Sequence, residues 1–231
     1  FHTYDYERHF LSSIKRLLHL DVNFNEITLE DRIIKVDSFP MGIDYNRYNQ
    51  AALKRQSNSA EKSDLQIRLE RVIEEKRKLI LSIDRMDYTK GIPNRIRAFE
   101  YFLDAHPEYK EKVSLVMLAV PSRSNVPQYK KLKRETDELV GRINGKFASV
   151  KWTPIWYFYR SVPFEDLIDL YTSSDIALIT PIRDGMNLVA KEYVATRTKE
   201  DGVLILSEMA GAAKEMNEAL LINPNSFDAF A

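Results

Sequence analysis

The sequence predicts an α/β fold with a doubly wound parallel sheet, and three observations support it. From Lys78 onward, short apolar runs recur, and each is followed by a loop and an amphipathic helical pattern. Short buried runs that alternate with helices are typical of parallel sheets with helices on both faces. With 231 residues, 44% of them hydrophobic, the chain is also long enough to bury the core of such a domain.

The amino-terminal part has a different pattern. Apolar residues recur at helical spacing from Tyr4 to Leu20, which predicts a helix. Alternation in short stretches from Ile27 to Phe39 predicts a small pair of strands. The segment from Pro40 to Asp44 carries turn residues, and the polar segment of residues 57–70 is expected to be a solvated helix or a surface connection.

The remaining chain supplies the main sheet. The apolar runs expected to be its strands are Leu79–Ile83, Val113–Val120, Ile176–Thr180, Val203–Leu206 and Leu220–Ile222. The helical patterns among them cover residues 93–105, 128–141, 164–173, 187–197 and 210–217. We expect the strand that starts near Leu79 to lie close to the centre of the sheet. Ligands of such folds bind at the carboxyl ends of the strands, so the loops that follow the strands are the candidate functional sites.

Composition excludes several classes of function. Lysine and arginine total 34, and aspartate and glutamate also total 34, so no overall positive charge attracts nucleic acid. The chain has no cysteine and no apolar run long enough to span a bilayer, and we expect a cytoplasmic protein that binds no membrane. The four histidines lack metal-ligand spacing, and no dinucleotide or Walker motif is present, so neither a metal nor a cofactor is expected.

Two loops combine charges with glycine at the start of a helix. In the loop after Ile83, Arg85 and Lys90 are followed by Gly91 and can gather around one anion, or they can be ordinary solvated loop charges. In the loop after Thr180, the free amides of a new helix can donate to phosphate or sugar oxygens. Here the alternative is that Asp184 and Asn187 only cap that helix.

Three further positions complete the candidate set. Glu192 lies about one turn inside the second helix, where a carboxylate can accept hydrogen bonds from vicinal ribose hydroxyls. Arg123 follows the run that ends at Val120 and can hold a phosphate or belong to a surface turn. The small residues from Met209 to Ala213 are assigned to close packing rather than to binding.

Taken together, these segments resemble the trehalose-6-phosphate synthase family. The matching segments appear in the family's order and are Phe1–Phe10, Asp84–Pro93, Gly141–Lys146, Trp152–Pro154 and, most specifically, the decapeptide Arg183–Glu192. The resemblance covers nearly the whole chain. It implies a retaining glycosyltransferase of the GT-B fold that transfers glucose from UDP-glucose to glucose-6-phosphate, giving trehalose-6-phosphate and UDP.

The resemblance also implies a role for each matching residue. Arg85, Lys90 and Asp184 match the catalytic positions, and the first two match the pair that holds the donor diphosphate. Arg123 matches a residue that reaches the phosphate of the acceptor, glucose-6-phosphate. Val162 matches a backbone contact to uracil, and Glu192 matches the ligand of the ribose hydroxyls. The rest of the implied donor-binding set is Gly185, Met186, Asn187, Leu188, Val189, Ala190 and Lys191.

The family pattern further implies a domain organisation. Residues 1–45 are expected to be a connecting helix and strands from a preceding domain, and residues 46–231 a Rossmann-like UDP-glucose-binding domain. The amino-terminal domain of the family is expected to be missing, as is a terminal helix that crosses back to it. We therefore expect this chain to bind the donor and to be inactive alone. The alternative is a non-catalytic or truncated UDP-glucose-binding module.

Overall fold

The computed structural model describes residues 1–57 and 63–226. The chain divides into two compact units, Phe1–Gly42 and Ile43–Ala231. Part of the polar segment expected at residues 57–70, namely residues 58–62, lies outside the described residues, and its later part belongs to a helix that starts at Asp64. Ser63 caps this helix, since its hydroxyl accepts from the amide of Gln66 while the Gln66 side chain accepts from the amide of Ser63.

The first unit consists of one helix and three short antiparallel strands. Helix α1 is Tyr4–Leu18, and the strands are β1 (Asp21–Asn23), β2 (Glu26–Thr28) and β3 (Ile33–Lys35). The core of this unit is formed by Leu11, Ile27 and Val36. The expected pair of strands becomes three because a tight turn, with Phe24 in the left-handed region, pairs residues 21–23 with residues 26–28. A strand of three residues is too short to show alternation in the sequence.

The second unit contains a parallel sheet of six strands in the order β6-β5-β4-β7-β8-β9. The strands are β4 (Lys78–Arg85), β5 (Val113–Val120), β6 (Ile155–Phe158), β7 (Ile176–Ile179), β8 (Val203–Ser207) and β9 (Leu220–Ile222). All five predicted runs are strands, and the strand that contains Leu79 lies third of six, which confirms its central position. The aromatic strand β6 is not among the five predicted runs.

Six α-helices lie within the described residues of this unit. They are α2 (Tyr45–Ser57), α3 (Asp64–Glu74), α4 (Ile92–Ala105), α5 (Pro127–Phe147), α6 (Phe164–Ser173) and α7 (Leu188–Ala195). The helix expected at residues 210–217 is instead a 3-10 turn, Gly211–Lys214. Helix α5 continues past Gly141 to bury Ile143 and then past Gly145 to Phe147, although each glycine costs roughly 1 kcal/mol of helix propensity. No helix within residues 1–57 and 63–226 has both the length and the apolar character needed to cross a membrane.

Strand β5 shows how the two layers of helices arise. Alternate residues of a strand point to opposite faces of the sheet. Val116 and Leu118 pack in one apolar core with α2, α3, α6 and α7, whereas Leu115 and Met117 pack in a second core with α4 and α5. The sheet is therefore covered on both faces, as expected for a doubly wound fold.

The strand order also fixes where a ligand site can form. From β4 the chain moves outward through β5 to β6, and it then crosses back to place β7 on the other side of β4. The loops that leave the carboxyl ends of β4 and β7 therefore diverge to opposite faces of the sheet. In open α/β sheets, ligands usually bind in the crevice at such a reversal, which here lies between the ends of β4 and β7.

Candidate functional site

The sequence-predicted residues lie at the carboxyl edge of the main sheet or one helical turn beyond it. Arg85 ends β4, directly opposite the last residue of β5, and Arg123 follows three residues later in the β5 loop. Val162 lies in the loop after β6, and Asp184 lies in the loop after β7. Since all six strands are parallel, these loops emerge at one edge.

An ion pair joins the loop after β4 to the loop after β7. The Nζ of Lys90 lies 2.5 Å from Oδ2 of Asp184, and the two side chains are 11% and 14% exposed. Asp184 also accepts a hydrogen bond from the side-chain amide of Asn187 at 3.0 Å. A partly buried pair of this kind fixes the ammonium group in position at the crevice between β4 and β7.

The backbones of these loops interlock as well. The carbonyl of Thr89 accepts from the amides of Ile182 and Arg183 at 2.9 and 3.1 Å. Gly91 has a left-handed φ of 65°, and a Cβ atom there would lie 3.0 Å from the carbonyl oxygen of Thr180. Glycine is therefore required where the β4 loop passes closest to the β7 loop.

A fully buried arginine supports the same region, and the sequence interpretation missed it. Arg95 in α4 donates to Asp84 at 2.9 Å, to the hydroxyl of Thr180 at 3.0 Å and to the carbonyl of Lys90 at 3.1 Å. Arg95 belongs to the apolar stripe of α4, three residues after Ile92. An arginine on the core-facing side of a helix requires buried partners, so this signal was available in the sequence.

The contacts at the start of α7 show which of two residues caps the helix. Asn187 caps the helix, because its Oδ1 accepts from the amide of Ala190 at 3.1 Å. It is also the left-handed residue of the loop, with a φ of 80°. Asp184 instead binds Lys90 and Asn187. The capping alternative therefore applies to Asn187, while Asp184 holds the two loops together.

Glu192 lies one turn into α7 and faces two tyrosines. Its Oε2 accepts a hydrogen bond from the hydroxyl of Tyr171 at 2.6 Å. Burial raises the pKa of Tyr171 well above its ordinary value, and the charge of Glu192 raises it further. For Tyr48, burial together with the charge and hydrogen bond of Glu192 raises the pKa to about 12. The hydroxyl of Tyr171 is the donor that orients the carboxylate.

A second chain of contacts connects the β4 and β5 loops. Arg123 donates to the hydroxyl of Tyr129 at 3.3 Å, and this hydroxyl donates to Asp87 at 2.9 Å. Burial alone would raise the pKa of Asp87. Hydrogen bonds from Thr89 and Tyr129, together with the charge of Arg85, nevertheless hold this pKa below its ordinary value. Two exposed arginines, Arg85 and Arg123, therefore flank an ionised carboxylate.

The remaining residues of the implied donor-binding set are paired or packed within the protein itself. Lys191 forms an ion pair with Glu215 at 2.7 Å. Val162 packs against the apolar core together with Leu188 and Val189, while Met186 and Ala190 are buried. The carbonyl of Met186 accepts from the amide of Ala212, and Ala210, Ala212 and Ala213 are buried, so the small-residue segment packs against the loop after β7.

Comparison with known proteins identifies the family. The model of glycosyltransferase family 20 matches residues 1–231. The chain is 44% identical over 230 residues to the 56 kDa subunit of the UDP-forming alpha,alpha-trehalose-phosphate synthase of Saccharomyces cerevisiae, with 99% of this chain and 45% of that protein covered. The chain thus spans about half the length of the curated relatives it matches.

Solved structures agree in fold. A UDP-forming trehalose-phosphate synthase from Burkholderia xenovorans, in complex with glucose-6-phosphate, superposes with a TM-score of 0.91 at 34% identity and covers 100% of this chain and 50% of its own. An Escherichia coli trehalose-6-phosphate enzyme bound with UDP-2-fluoro glucose gives a TM-score of 0.90 at 32% identity, with 100% and 50% covered. The doubly wound fold, the motifs in the order of the family and the family match over residues 1–231 lead to one conclusion: the chain belongs to glycosyltransferase family 20.

Proposed function

We propose that this chain supplies the donor-binding half of a retaining glucosyltransferase. The proposed reaction transfers glucose from UDP-glucose to glucose-6-phosphate and yields trehalose-6-phosphate and UDP. The observation that carries the proposal is the Lys90–Asp184 pair at the crevice between β4 and β7, with the exposed Arg85 at the end of β4. Arginine and lysine at one strand edge, next to the start of a helix, form a suitable site for a diphosphate.

The proposed chemistry needs a stabiliser of negative charge. The bond from C1 of glucose to the diphosphate oxygen breaks, and its electron pair leaves with UDP. A hydroxyl oxygen of the acceptor bonds to C1 on the same face, and its proton passes to the leaving diphosphate oxygen. Negative charge grows on the diphosphate during this step, so positioned cations favour the transition state over the bound donor. Arg85 and Lys90 are assigned this role, and Asp184 keeps the Lys90 ammonium in place.

The nucleoside is assigned to Glu192 and the loop after β6. A carboxylate oriented by Tyr171 retains lone pairs that can accept from two ribose hydroxyls. Val162 is proposed to contact uracil through its backbone, and Arg123 is proposed to reach the phosphate of the acceptor. Gly185 to Lys191 would line the transferred glucose and the nucleotide, and among them Asn187 and Lys191 already have partners within the protein.

A second candidate is a UDP-glucose-binding module without turnover. The residues of this chain span about half the length of the relatives they match, and on their own they would hold the donor without the rest of the site. We therefore propose that the catalytic partner is the amino-terminal domain of the family, and that the isolated chain binds the donor but does not transfer glucose. We also propose a cytoplasmic location, which fractionation of the producing cell tests.

One experiment separates these possibilities. UDP-glucose binding is measured by calorimetry on this chain, beside a trehalose-6-phosphate assay on the same preparation and on a fusion to the amino-terminal half of a family member. We expect binding by the chain, no product from the chain alone, and product from the fusion. Product from the chain alone would contradict the half-site assignment, and a fusion without product would favour the binding module. Absence of UDP-glucose binding would contradict both the half-site assignment and the binding module.

A further inference from the structure

A cavity lies at the amino-terminal edge of the main sheet, opposite the edge that carries the candidate glycosyltransferase site. Its volume is about 410 Å³, and it is lined by the end of α3, by Arg77 just before β4, and by residues 150–153 and 156 around the start of β6. The eight residue-to-residue steps from Arg77 to Arg85 span about 26 Å, at roughly 3.3 Å per step of strand. This cavity is therefore separate from the candidate glycosyltransferase site.

The lining of this cavity is strongly cationic. Arg68, Arg71, Arg77 and Lys151 contribute to it, whereas Glu75 is its one carboxylate. Glu75 is paired with Arg77. Within residues 1–57 and 63–226, Arg68, Arg71 and Lys151 make no ion pair. Burial lowers the pKa of Arg68, and the nearby charge of Arg77 lowers it further, so the guanidinium groups repel one another in the absence of an anion.

Two buried donors of the lining residues lack partners. Trp156 is 5% exposed, and among the described residues neither its Nε1 nor the Nε of Arg77 has a hydrogen-bond partner. The neighbouring Trp152 differs, because its Nε1 donates to the carbonyl of Val113 at 2.9 Å. Buried donors without partners are uncommon in folded proteins, and each calls for an explanation such as a bound ligand. The guanidinium of Arg68 also lies 3.8 Å from the centroid of the Trp156 ring, which holds this cation at the cavity.

We propose that this cavity binds the phosphate group of a small phosphorylated molecule. Arg68, Arg71 and Lys151 supply unpaired positive charge, and the buried N–H groups of Trp156 and Arg77 supply donors that an anion can satisfy. A phosphate carries more than one negative charge and three oxygens that accept from several directions, and it suits clustered guanidinium groups better than a single carboxylate does. The volume leaves room for a molecule larger than the phosphate itself.

Tryptophan fluorescence tests the proposal directly. The chain has two tryptophans, and both line this cavity. Inorganic pyrophosphate, which does not absorb at the wavelengths used, is titrated at constant ionic strength, with sodium chloride as the reference titrant. We expect a saturable change in emission with pyrophosphate and none with chloride. In Trp152→Phe, where Trp156 is the single reporter, the change should persist.

Substitutions locate the bound anion. Arg71 and Lys151 are exposed, so Arg71→Gln and Lys151→Gln should leave the unfolding temperature unchanged. Each should weaken pyrophosphate binding by about three- to tenfold, the effect of one charge-assisted contact at a partly open site. Matched controls on the exposed face of α5, Arg134→Gln and Lys131→Gln, should retain the wild-type affinity. Arg85→Ala, at the other edge of the sheet, should retain the fluorescence change.

Three results would overturn the proposal. The first is the absence of a saturable change in Trp152→Phe. The second is equal affinity in Arg71→Gln, Lys151→Gln and their matched controls. The third is loss of the change in Arg85→Ala, which would assign the anion to the glycosyltransferase site. UDP affinity measured in the same variants reports on that site independently, so the two proposals can fail separately.

Discussion

At the scale of single residues, Arg85 and Lys90 belong to one loop but lie in different electrostatic surroundings. Arg85 is exposed and makes no ion pair within the described part of the chain, whereas Lys90 is 9% exposed and is bound to Asp184. Removal of an exposed cation costs little folding free energy, because exposed charge pairs are weak. Removal of a buried cation leaves its carboxylate unpaired, which destabilises the protein and repels an incoming anion.

These surroundings predict different outcomes for two alanine variants. Arg85→Ala should weaken UDP binding about ten- to a hundredfold with an unchanged unfolding temperature. Lys90→Ala should weaken binding at least as much and also lower the free energy of unfolding by about 1–3 kcal/mol. In the double variant Lys90→Ala/Asp184→Asn, the stability should return while the affinity stays low. Calorimetry and thermal unfolding measure both quantities. Unchanged affinity in both single variants would exclude both residues from the donor site.

We expect Glu192 to make the binding site prefer a ribose nucleotide over a deoxyribose nucleotide. A ligand that lacks the 2′-hydroxyl leaves the carboxylate partly unpaired, so wild type should prefer UDP over deoxy-UDP. Glu192→Gln should lose much of that preference, at a cost of about 1.5–3 kcal/mol of UDP binding. Titration of both nucleotides into both proteins gives the comparison.

Tyr171 provides the matched control for Glu192. Tyr171→Phe removes the hydroxyl that orients the carboxylate but keeps the carboxylate itself. We expect it to weaken UDP binding less than Glu192→Gln and to retain part of the preference for UDP. Equal discrimination in wild type and Glu192→Gln would exclude this residue from the nucleotide site.

The raised pKa of Tyr48 predicts that the stability of the fold depends on pH in the alkaline range. The fold raises its pKa from 10 to about 12, so the folded state keeps the hydroxyl proton that an unfolded chain loses near pH 10. The stabilisation is fully present below pH 10 and is lost as the pH rises through about 12. Urea unfolding between pH 9 and about 12 should show this loss, and Tyr48→Phe should show a smaller one. Equal slopes for both proteins would contradict the assignment.

At the scale of secondary-structure elements, Gly91 is the junction on which the loop geometry depends. It ends the 3-10 turn Tyr88–Lys90 and precedes α4, and the amide of Arg95 donates to its carbonyl at 3.1 Å. Its left-handed φ brings the β4 loop against the carbonyl of Thr180. The position of Lys90 beside Asp184 therefore depends on a conformation that other residues adopt only at a cost.

The different surroundings of Gly91 and Gly141 predict opposite effects on stability when each is replaced by alanine. Gly91→Ala should destabilise the protein by about 1–3 kcal/mol, from the strained φ and the close backbone oxygen. Gly141→Ala, inside α5 with no atom within 4 Å of the added methyl group, should instead stabilise it by about 0.5–1 kcal/mol. Urea unfolding compares the two, and Gly91→Ala should also weaken UDP binding. A neutral Gly91→Ala would show that the loops do not need this approach.

At the scale of the whole molecule, every candidate site residue belongs to the second unit, Ile43–Ala231. The first unit buries three apolar side chains as its core, too few for a stable fold of its own. We predict that residues 43–231 alone fold cooperatively and bind UDP within about twofold of the affinity of the full chain, whereas residues 1–42 alone do not fold. Circular dichroism and calorimetry on both fragments test this. Loss of UDP binding by residues 43–231 would assign part of the site to the first unit.

The sequence by itself determined the doubly wound architecture, the loops that follow its strands and the family. Apolar periodicity is local, and the decapeptide that ends at Glu192 lies within one loop and one helix, so neither required knowledge of distant contacts. Only the tertiary structure decided that Lys90 binds Asp184, 94 residues away, and that Tyr171 orients Glu192. The strand β6 and the partners of Arg95 also became visible only there. These features depend on which side chains meet when the strands assemble, and no local pattern in a chain encodes such long-range packing.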